Sequence, residues 1–291
     1  MFSQLCVNAL IAGSIYALVG IGFSLIYQAQ GFFHFTHGLA CSAGAYVMFA
    51  LCRIGSPILI AAFVGVCTAG TLGVLLDICI IHPVMKRNGS ALVLLLASIG
   101  AYLIGQNLIS MMFGDDLKTL SSGKISTGFQ VFEARITANQ IAILLLTALM
   151  VVTMALWLEL TRFGRHVRAL ANDKHLAILC GMRVENVRYI VMAVGSGLAG
   201  LAGILLALDQ DIVPTMGMKL LLNGVVAMIV GGRTSILGAA AGGIIVGVAQ
   251  NMCAIWLPLA WQDAVVFVIL VFFLLVRPCG LWGHSLRQAT I

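Results

Sequence analysis

Apolar residues run through this chain in long, nearly unbroken stretches, at 5–27, 38–51, 58–81, 91–113, 141–158, 189–208, 236–256 and 264–276. None shows the apolar–polar alternation of a half-buried strand, and most approach the ~20 residues a helix needs to cross a hydrocarbon core. A strand of a transmembrane barrel needs only ~10 alternating residues, so the spans are read as helices. A ninth run at 220–231 is ambiguous: about 12 residues at ~1.5 Å each fall short of a ~30 Å core, so it reads as a short crossing or as a half-helix buried among its neighbours. The pattern predicts an all-α integral membrane protein, a polytopic bundle of eight or nine transmembrane helices. It forms a single domain over 1–291, with its main polar interruption at 159–188.

Composition sharpens this picture. With 61% apolar and 9% charged residues, against about 25% charged in a soluble domain, the chain has too few charges to cover a globular surface. Its 32 glycines read as helix contacts, because in lipid close packing replaces the missing hydrophobic drive. The eight cysteines are scattered singly, without a C-x-x-C pair or zinc spacing, and read as small apolar packing residues. The first run begins almost at Met1 with no basic stretch before it, so no cleaved leader is expected.

The excess of Lys and Arg bears on orientation. Binding nucleic acid would need a clustered basic face on a soluble fold, so no nucleic-acid partner is expected. Loop 159–188 carries Arg162, Arg165, Arg168, Lys174, Arg183 and Arg188 against Glu159, Asp173 and Glu185, which places it in the cytoplasm. Counting spans outward puts Lys86 and Arg87 inside as well. The N-terminus and 114–140 fall outside, where Asp115, Asp116 and Glu133 balance Lys118, Lys124 and Arg135. If the short run crosses fully, Arg233, Arg277 and Arg287 also fall inside. Eleven basic residues then lie inside and five outside, an asymmetry that favours nine crossings.

Within the loop, Val167, Leu170, Ala171, Leu176, Ile178 and Leu179 alternate with polar residues, and no breaker occurs before Gly181. Short helices along the membrane surface are expected, with Gly181 as a C-cap and the basic residues near Gly164 meeting lipid phosphates. Two uses are open. One is an ordinary solvated positive loop; the other is a docking helix with the small residues Ala169, Ala177 and Gly181 on one side, seated in a partner's groove.

Charged groups at bilayer depth cost ~2.5–3.5 kcal/mol on insertion scales, so each needs a partner. Asp77 is expected to bond or ion-pair, with Lys86 or Arg87, where His82-Pro83 bends its helix. His34 and His37 have no further ligands nearby for a metal and read as hydrogen-bonding at a turn or as lining a polar path. Asn8, Gln106, Asn107, Asn223, Gln250 and Asn251 suit bonds between helices or the same path. Gly231, Gly232, Gly238 and Gly242 suit close helix crossing, with a hinge at Gly231-Gly232 as the alternative.

The run Gly164, Arg165, Arg168, Ala169, Ala171, Asp173, Ala177, Gly181 resembles the coupling-loop motif of LivH-type permeases, the membrane subunits of branched-chain amino acid ABC transporters. The similarity extends over nearly the whole chain. GSIYALVGIGFSLIY at 13–27 is similar to the family's first span, and FHFTHG at 33–38 to its N-F-A-H-G turn. Asp77 with His82-Pro83 resembles an acidic residue followed by Arg-Pro, and GGRTSILGAAAGG at 231–243 resembles G-G-x-G-S-x-x-G-A-x-x-G-G. His34, Thr36, His82 and Thr234 depart from the usual asparagine, alanine, arginine and glycine.

The resemblance implies a transport subunit, not an enzyme, that moves branched-chain amino acids across a bacterial inner membrane with a periplasmic N-terminus. It also implies several partners: ATPase subunits that use ATP and Mg, a second related permease subunit and a periplasmic substrate-binding protein. This chain itself has no G-x-x-x-x-G-K-[ST] phosphate loop and no expected cofactor. Coupling to the ATPase would fall on Gly164, Arg165, Arg168, Ala169, Asp173, Ala177 and Gly181, and the translocation path on His37, Asn223, Gln250 and Asn251. A permease for urea or short amides is the alternative. An ion-coupled secondary transporter would want more ionisable groups near the midplane than this sequence carries.

Overall fold

A computed structural model describes residues 2–120, 128–131 and 134–283. Lys124, Glu133 and Arg287, used in the charge count above, lie outside the described residues. Among those described, nine helices form the bundle: α1 (Phe2–Gln30), α2 (Thr36–Arg53), α3 (Ile58–Lys86), α4 (Ala91–Phe113), α5 (Ala138–Leu160), then α8 (Val184–Asp209), α9 (Met216–Gly231), α10 (Ile236–Cys253) and α11 (Gln262–Val276). Two short helices, α6 (Arg162–Asn172) and α7 (Lys174–Leu179), lie in the polar interruption. A hairpin of β1 (Phe129–Val131) and β2 (Ala134–Ile136) pairs Phe129 with Ile136.

Apolar runs understate several helices because polar caps and end turns extend them. Run 141–158 becomes α5, whose N-terminus is closed by a capping box between Thr137 and Gln140. Ser90 accepts the Val93 N–H at the start of α4, and Ser235 accepts the Gly238 N–H at the start of α10. The short run 220–231 is the core of a 16-residue helix. Met216 lies beside the cavity described below, while Gly231 meets the C-terminal segment at the opposite end. It therefore passes through the bundle and does not turn back.

Successive bundle helices alternate in direction. One end gathers the N-terminus, the hairpin, Asp209 and Gln262: Gln4 donates to the Arg135 carbonyl, and Lys118 pairs with Ile212. The other gathers the 159–188 loop, Asp77 and Arg233: Arg188 bonds Asp77, and Ser24 donates to the Arg233 carbonyl. These are called the cavity end and the basic end.

Helices α1 and α8 are the axis. Windows of 18 residues within them are 83% and 72% buried, against 17% for α5, which faces outward. Glycines let backbones touch along this axis. A Cβ at Gly13 would lie 2.9 Å from the Ile244 Cα, one at Gly22 2.8 Å from the Gly195 carbonyl oxygen, and one at Gly44 2.8 Å from the Gly200 Cα. After α1, residues 31–35 turn back into the bundle and pack the Phe33 ring, tilted, against Phe23 and Tyr27. Helix α2 consequently starts partway along α1, with His37 Nε2 3.3 Å from the Val19 carbonyl oxygen.

Helix α3 carries a π-helical turn, Asp77–Ile81, just before His82–Lys86. Pro83 has no N–H to give the Cys79 carbonyl, so the regular ladder cannot continue. The His82 N–H bonds the Asp77 carbonyl instead, inserting one residue.

The glycine contacts make a direct prediction. A Cβ at Gly242 would overlap the Ala227 carbonyl, whereas one at Gly100 meets nothing within 4 Å. Gly242→Val should destabilise the detergent-solubilised protein by ~1–3 kcal/mol, the usual cost of overpacking. A thermal unfolding scan should register the fall in Tm, and Gly100→Ala should leave the Tm no lower.

Candidate translocation cavity and loop surface

A cavity of about 590 Å³ opens at the cavity end between α1, α5, α8, α9 and α10. Helix α1 contributes Asn8, Ala12 and Tyr16, which fall on one face because residues four apart are neighbours on a helix. Lys219 and Asn223 do the same on α9. Asn223, Gln250 and Asn251, expected from the sequence to share a polar path, all line this cavity. His37 does not. It is 1% exposed, with Nε2 against the Val19 carbonyl and its ring edge-on to Phe23.

One wall is a chain of hydrogen bonds. Tyr16 donates to Gln250 Oε1 at 2.6 Å, Gln250 Nε2 donates to Asp263 Oδ1 at 3.1 Å, and Lys219 Nζ lies 3.3 Å from Asp263 Oδ2. The chain links α1, α10, α11 and α9. Across the cavity, Gln140 Nε2 donates to Asp209 Oδ1 at 2.9 Å. Asp209, Asp211 and Lys219 supply both signs of charge to a lining otherwise rich in carboxamides. Sequence reading passed over these three, and over Tyr16 and Gln140. Asp209 and Asp211 look like ordinary loop residues at the end of an apolar run; Lys219, a lone cation at the edge of a run, was the available signal.

At the basic end the loop folds as two helices. Thr161 accepts the Gly164 N–H at 3.3 Å to start α6. Gly164 is buried so tightly that a Cβ would overlap the Leu158 carbonyl, and Arg168 donates to that carbonyl at 2.7 Å. Val167 and Leu170 seat α6 against Leu25, Val187 and Val191. Asp173 takes an extended backbone that separates the helices, and its carboxylate accepts the Leu176 N–H at 3.0 Å. Gly181, at φ +78°, closes α7: its N–H bonds the Ile178 carbonyl and the Met182 N–H the Ala177 carbonyl. That is a Schellman motif, which only glycine enters at little cost.

The small residues therefore do not share a face. Ala169 is exposed on α6, Ala177 is buried under α7, and Gly181 lies beyond it. The outward surface includes Arg165, His166 and Ala169 on α6 and Leu176, Ile178 and Leu179 on α7.

One other expectation changes, and one of two alternatives is favoured. Asp77 pairs with Arg188, 111 residues away, at 2.9 Å, and not with Lys86 or Arg87. The glycines at 231–242 are clasped, not free. Leu281 and Trp282 donate to the Val230 and Gly231 carbonyls at 2.9 Å, and Gly232, at φ +123°, lies against Gly283. Gly238 and Gly242 leave no space for a Cβ beside Gly231 and Ala227. Packing is what the geometry uses.

The family model described as branched-chain amino acid transport system / permease component matches residues 5–274. The chain is 33% identical to the LivH permease protein of the high-affinity branched-chain amino acid transport system of Salmonella typhimurium, over 97% of this chain and 96% of that one. It is 32% identical to LivH of Escherichia coli K12 and 30% identical to the corresponding BraD protein of Pseudomonas aeruginosa, each over the same shares. Among solved structures, PsaBC from Streptococcus pneumoniae in complex with Fab has a TM-score of 0.52 at 15% identity, covering 92% of this chain and 89% of that one. At that identity the likeness concerns the fold alone. With a bundle of this architecture matched along nearly its whole length, the chain belongs to the branched-chain amino acid transport permease family.

Proposed function

We propose that this chain is one of two related permease subunits of an ABC importer that carries branched-chain amino acids inward across the inner membrane. The carrying observation is the separation of two chemistries along the bundle. A polar cavity lies at one end, and a basic loop with outward-facing Leu176, Ile178 and Leu179 at the other. In this reading the cavity end faces the periplasm and receives substrate from a binding protein. The basic end faces the cytoplasm, where positive charge is retained, and docks ATPase subunits that use ATP and Mg.

The lining speaks to the cargo. Asp209 and Asp211 suit an α-ammonium and Lys219 a carboxylate, while Ile11, Ile15, Leu206 and Leu220 offer contact for an aliphatic side chain. A zwitterion with a branched apolar tail uses all of these. The carboxamides of Asn8, Gln140, Asn223 and Gln250 favour the second reading, a carrier of urea or short amides, which needs no charged partner. ATP-driven closure of the motor subunits would push on α6 and α7, tilt the helices continuous with them, and open the cavity toward the basic end.

Two outcomes are expected. In the assembled transporter, Asp209→Asn or Lys219→Met should raise the KM for labelled leucine roughly tenfold or more, matching the ~1.5–3 kcal/mol of a hydrogen bond to a charged group. Equal or better uptake of labelled urea, indifferent to both substitutions, would transfer the assignment to the amide class. In a background with the eight native cysteines replaced, Asp116→Cys should react with an impermeant maleimide added outside intact cells, and Leu179→Cys only after permeabilisation. The reverse pattern would invert the orientation.

A further inference from the structure

The buried polar cluster at the basic end joins three helices at the point where the loop re-enters the bundle. Asp77 on α3 is fully buried and Arg188, in the second turn of α8, is 6% exposed. Arg188 Nε donates to Asp77 Oδ2 at 2.9 Å, and Gln30, the last residue of α1, donates to Asp77 Oδ1 at 3.0 Å. The other Arg188 nitrogens reach His82 Nδ1 and, at 3.9 Å, the Met85 sulfur, while the guanidinium lies 5.1 Å from the Tyr189 ring centroid. His82 Nε2 is 3.6 Å from Glu185, one turn before Arg188.

Stability alone is a weak reason for such a pair. Desolvating two charges offsets much of their attraction, and replacing a buried ion pair with packed apolar residues is often neutral or stabilising. Its position supplies another reason. Helix α8 begins five residues after the last residue of α7, so displacement of the loop arrives first at Glu185, Arg188 and Tyr189. The far end of α8 contributes Leu206 and Asp209 to the cavity. On the α3 side, Asp77 opens the π-helical turn, a local interruption of the helical ladder of the kind often found at functional sites.

We infer that Asp77 and Arg188 are positioning residues for coupling: their pair binds α3 and α1 to the start of α8, so that movement of the loop shifts all three helices together. Without the pair, α8 would be driven alone and the cavity would open incompletely for each ATP consumed. The inference rests on the ABC-importer reading and concerns how that importer transmits force.

The test uses the complete transporter, with its ATPase, second permease and binding protein, in liposomes, measuring labelled leucine uptake and ATP hydrolysis together. The unmodified assembly must couple the two; if it accumulates leucine without hydrolysing ATP, the importer reading itself fails. The double variant Asp77→Leu/Arg188→Leu removes the pair without leaving a lone buried charge. It should assemble and hydrolyse ATP, while uptake per ATP falls by about tenfold or more, within the usual range of coupling between sites. An unchanged ratio would overturn the inference. Arg188→Lys keeps the charge opposite Asp77 but cannot hold Asp77, His82 and Met85 at once. It should lower the same ratio, and it decides the matter if the double variant does not assemble. A normal ratio in Arg188→Lys would reduce the cluster to charge balance.

Discussion

Contact between helix backbones is the constraint on which the rest of this structure depends. Lipid gives apolar helices no hydrophobic reason to associate, so cohesion comes from close van der Waals packing and a few internal hydrogen bonds. Helices α1, α8 and α10 meet at glycines whose Cβ atoms would sit inside neighbouring backbone. Such an axis leaves little room for polar side chains along its middle. Polar groups are displaced to the ends: the carboxamides and charges of the cavity at one, the Asp77–Arg188 cluster and loop at the other. The separation of polar chemistry between the two ends is thus partly a consequence of how the middle is packed.

The same constraint recasts the glycines at 231–242. A flexible hinge needs space in which to rotate, and here Gly231 lies against Gly238, Gly242 against Ala227, and the C-terminal segment hydrogen-bonds across both Val230 and Gly231. Glycine serves at Gly232 because φ is +123°, a region other residues enter only at a cost. Motion in this bundle is better carried by whole helices shifting against one another, with α8 reaching from the loop to the cavity wall.

The helical, membrane-crossing architecture was legible because apolar runs record burial in lipid directly, residue by residue. Asn223, Gln250 and Asn251 were legible for the same reason, being polar groups in or near runs where polarity costs free energy. What the runs could not convey was pairing across the sequence. Asp77 had plausible partners nearby in Lys86 and Arg87, yet Arg188 bonds it because the fold brings the side chain from the start of α8 to the π-helical turn. Asp209 and Asp211 lie beyond the end of a run and look like solvated loop until the fold sets them around the same cavity as Tyr16 and Lys219. The docking stripe failed through a local cause: Asp173 interrupts the helix and caps the next, so the four-residue spacing from Ala169 does not continue through Ala177 to Gly181.

The four departures from the family's motifs acquire meaning from where they lie. His34 is fully buried and its Nδ1 is 2.9 Å from the Thr36 hydroxyl, so two of the unusual residues are each other's partners. His82 lies against the Arg188 guanidinium. An imidazole nitrogen can accept from a guanidinium, whereas a second guanidinium there has no acceptor and would place two cations side by side. Thr234 lies in the α9–α10 turn at the basic end and lines a small pocket together with the α6 residue Arg168. None of the four lines the cavity. Changes confined to the turn and the basic end alter how helices are held there, while the cavity lining is set by other positions. The departures therefore bear on how the helices are held at the turn and the basic end, away from the cavity lining.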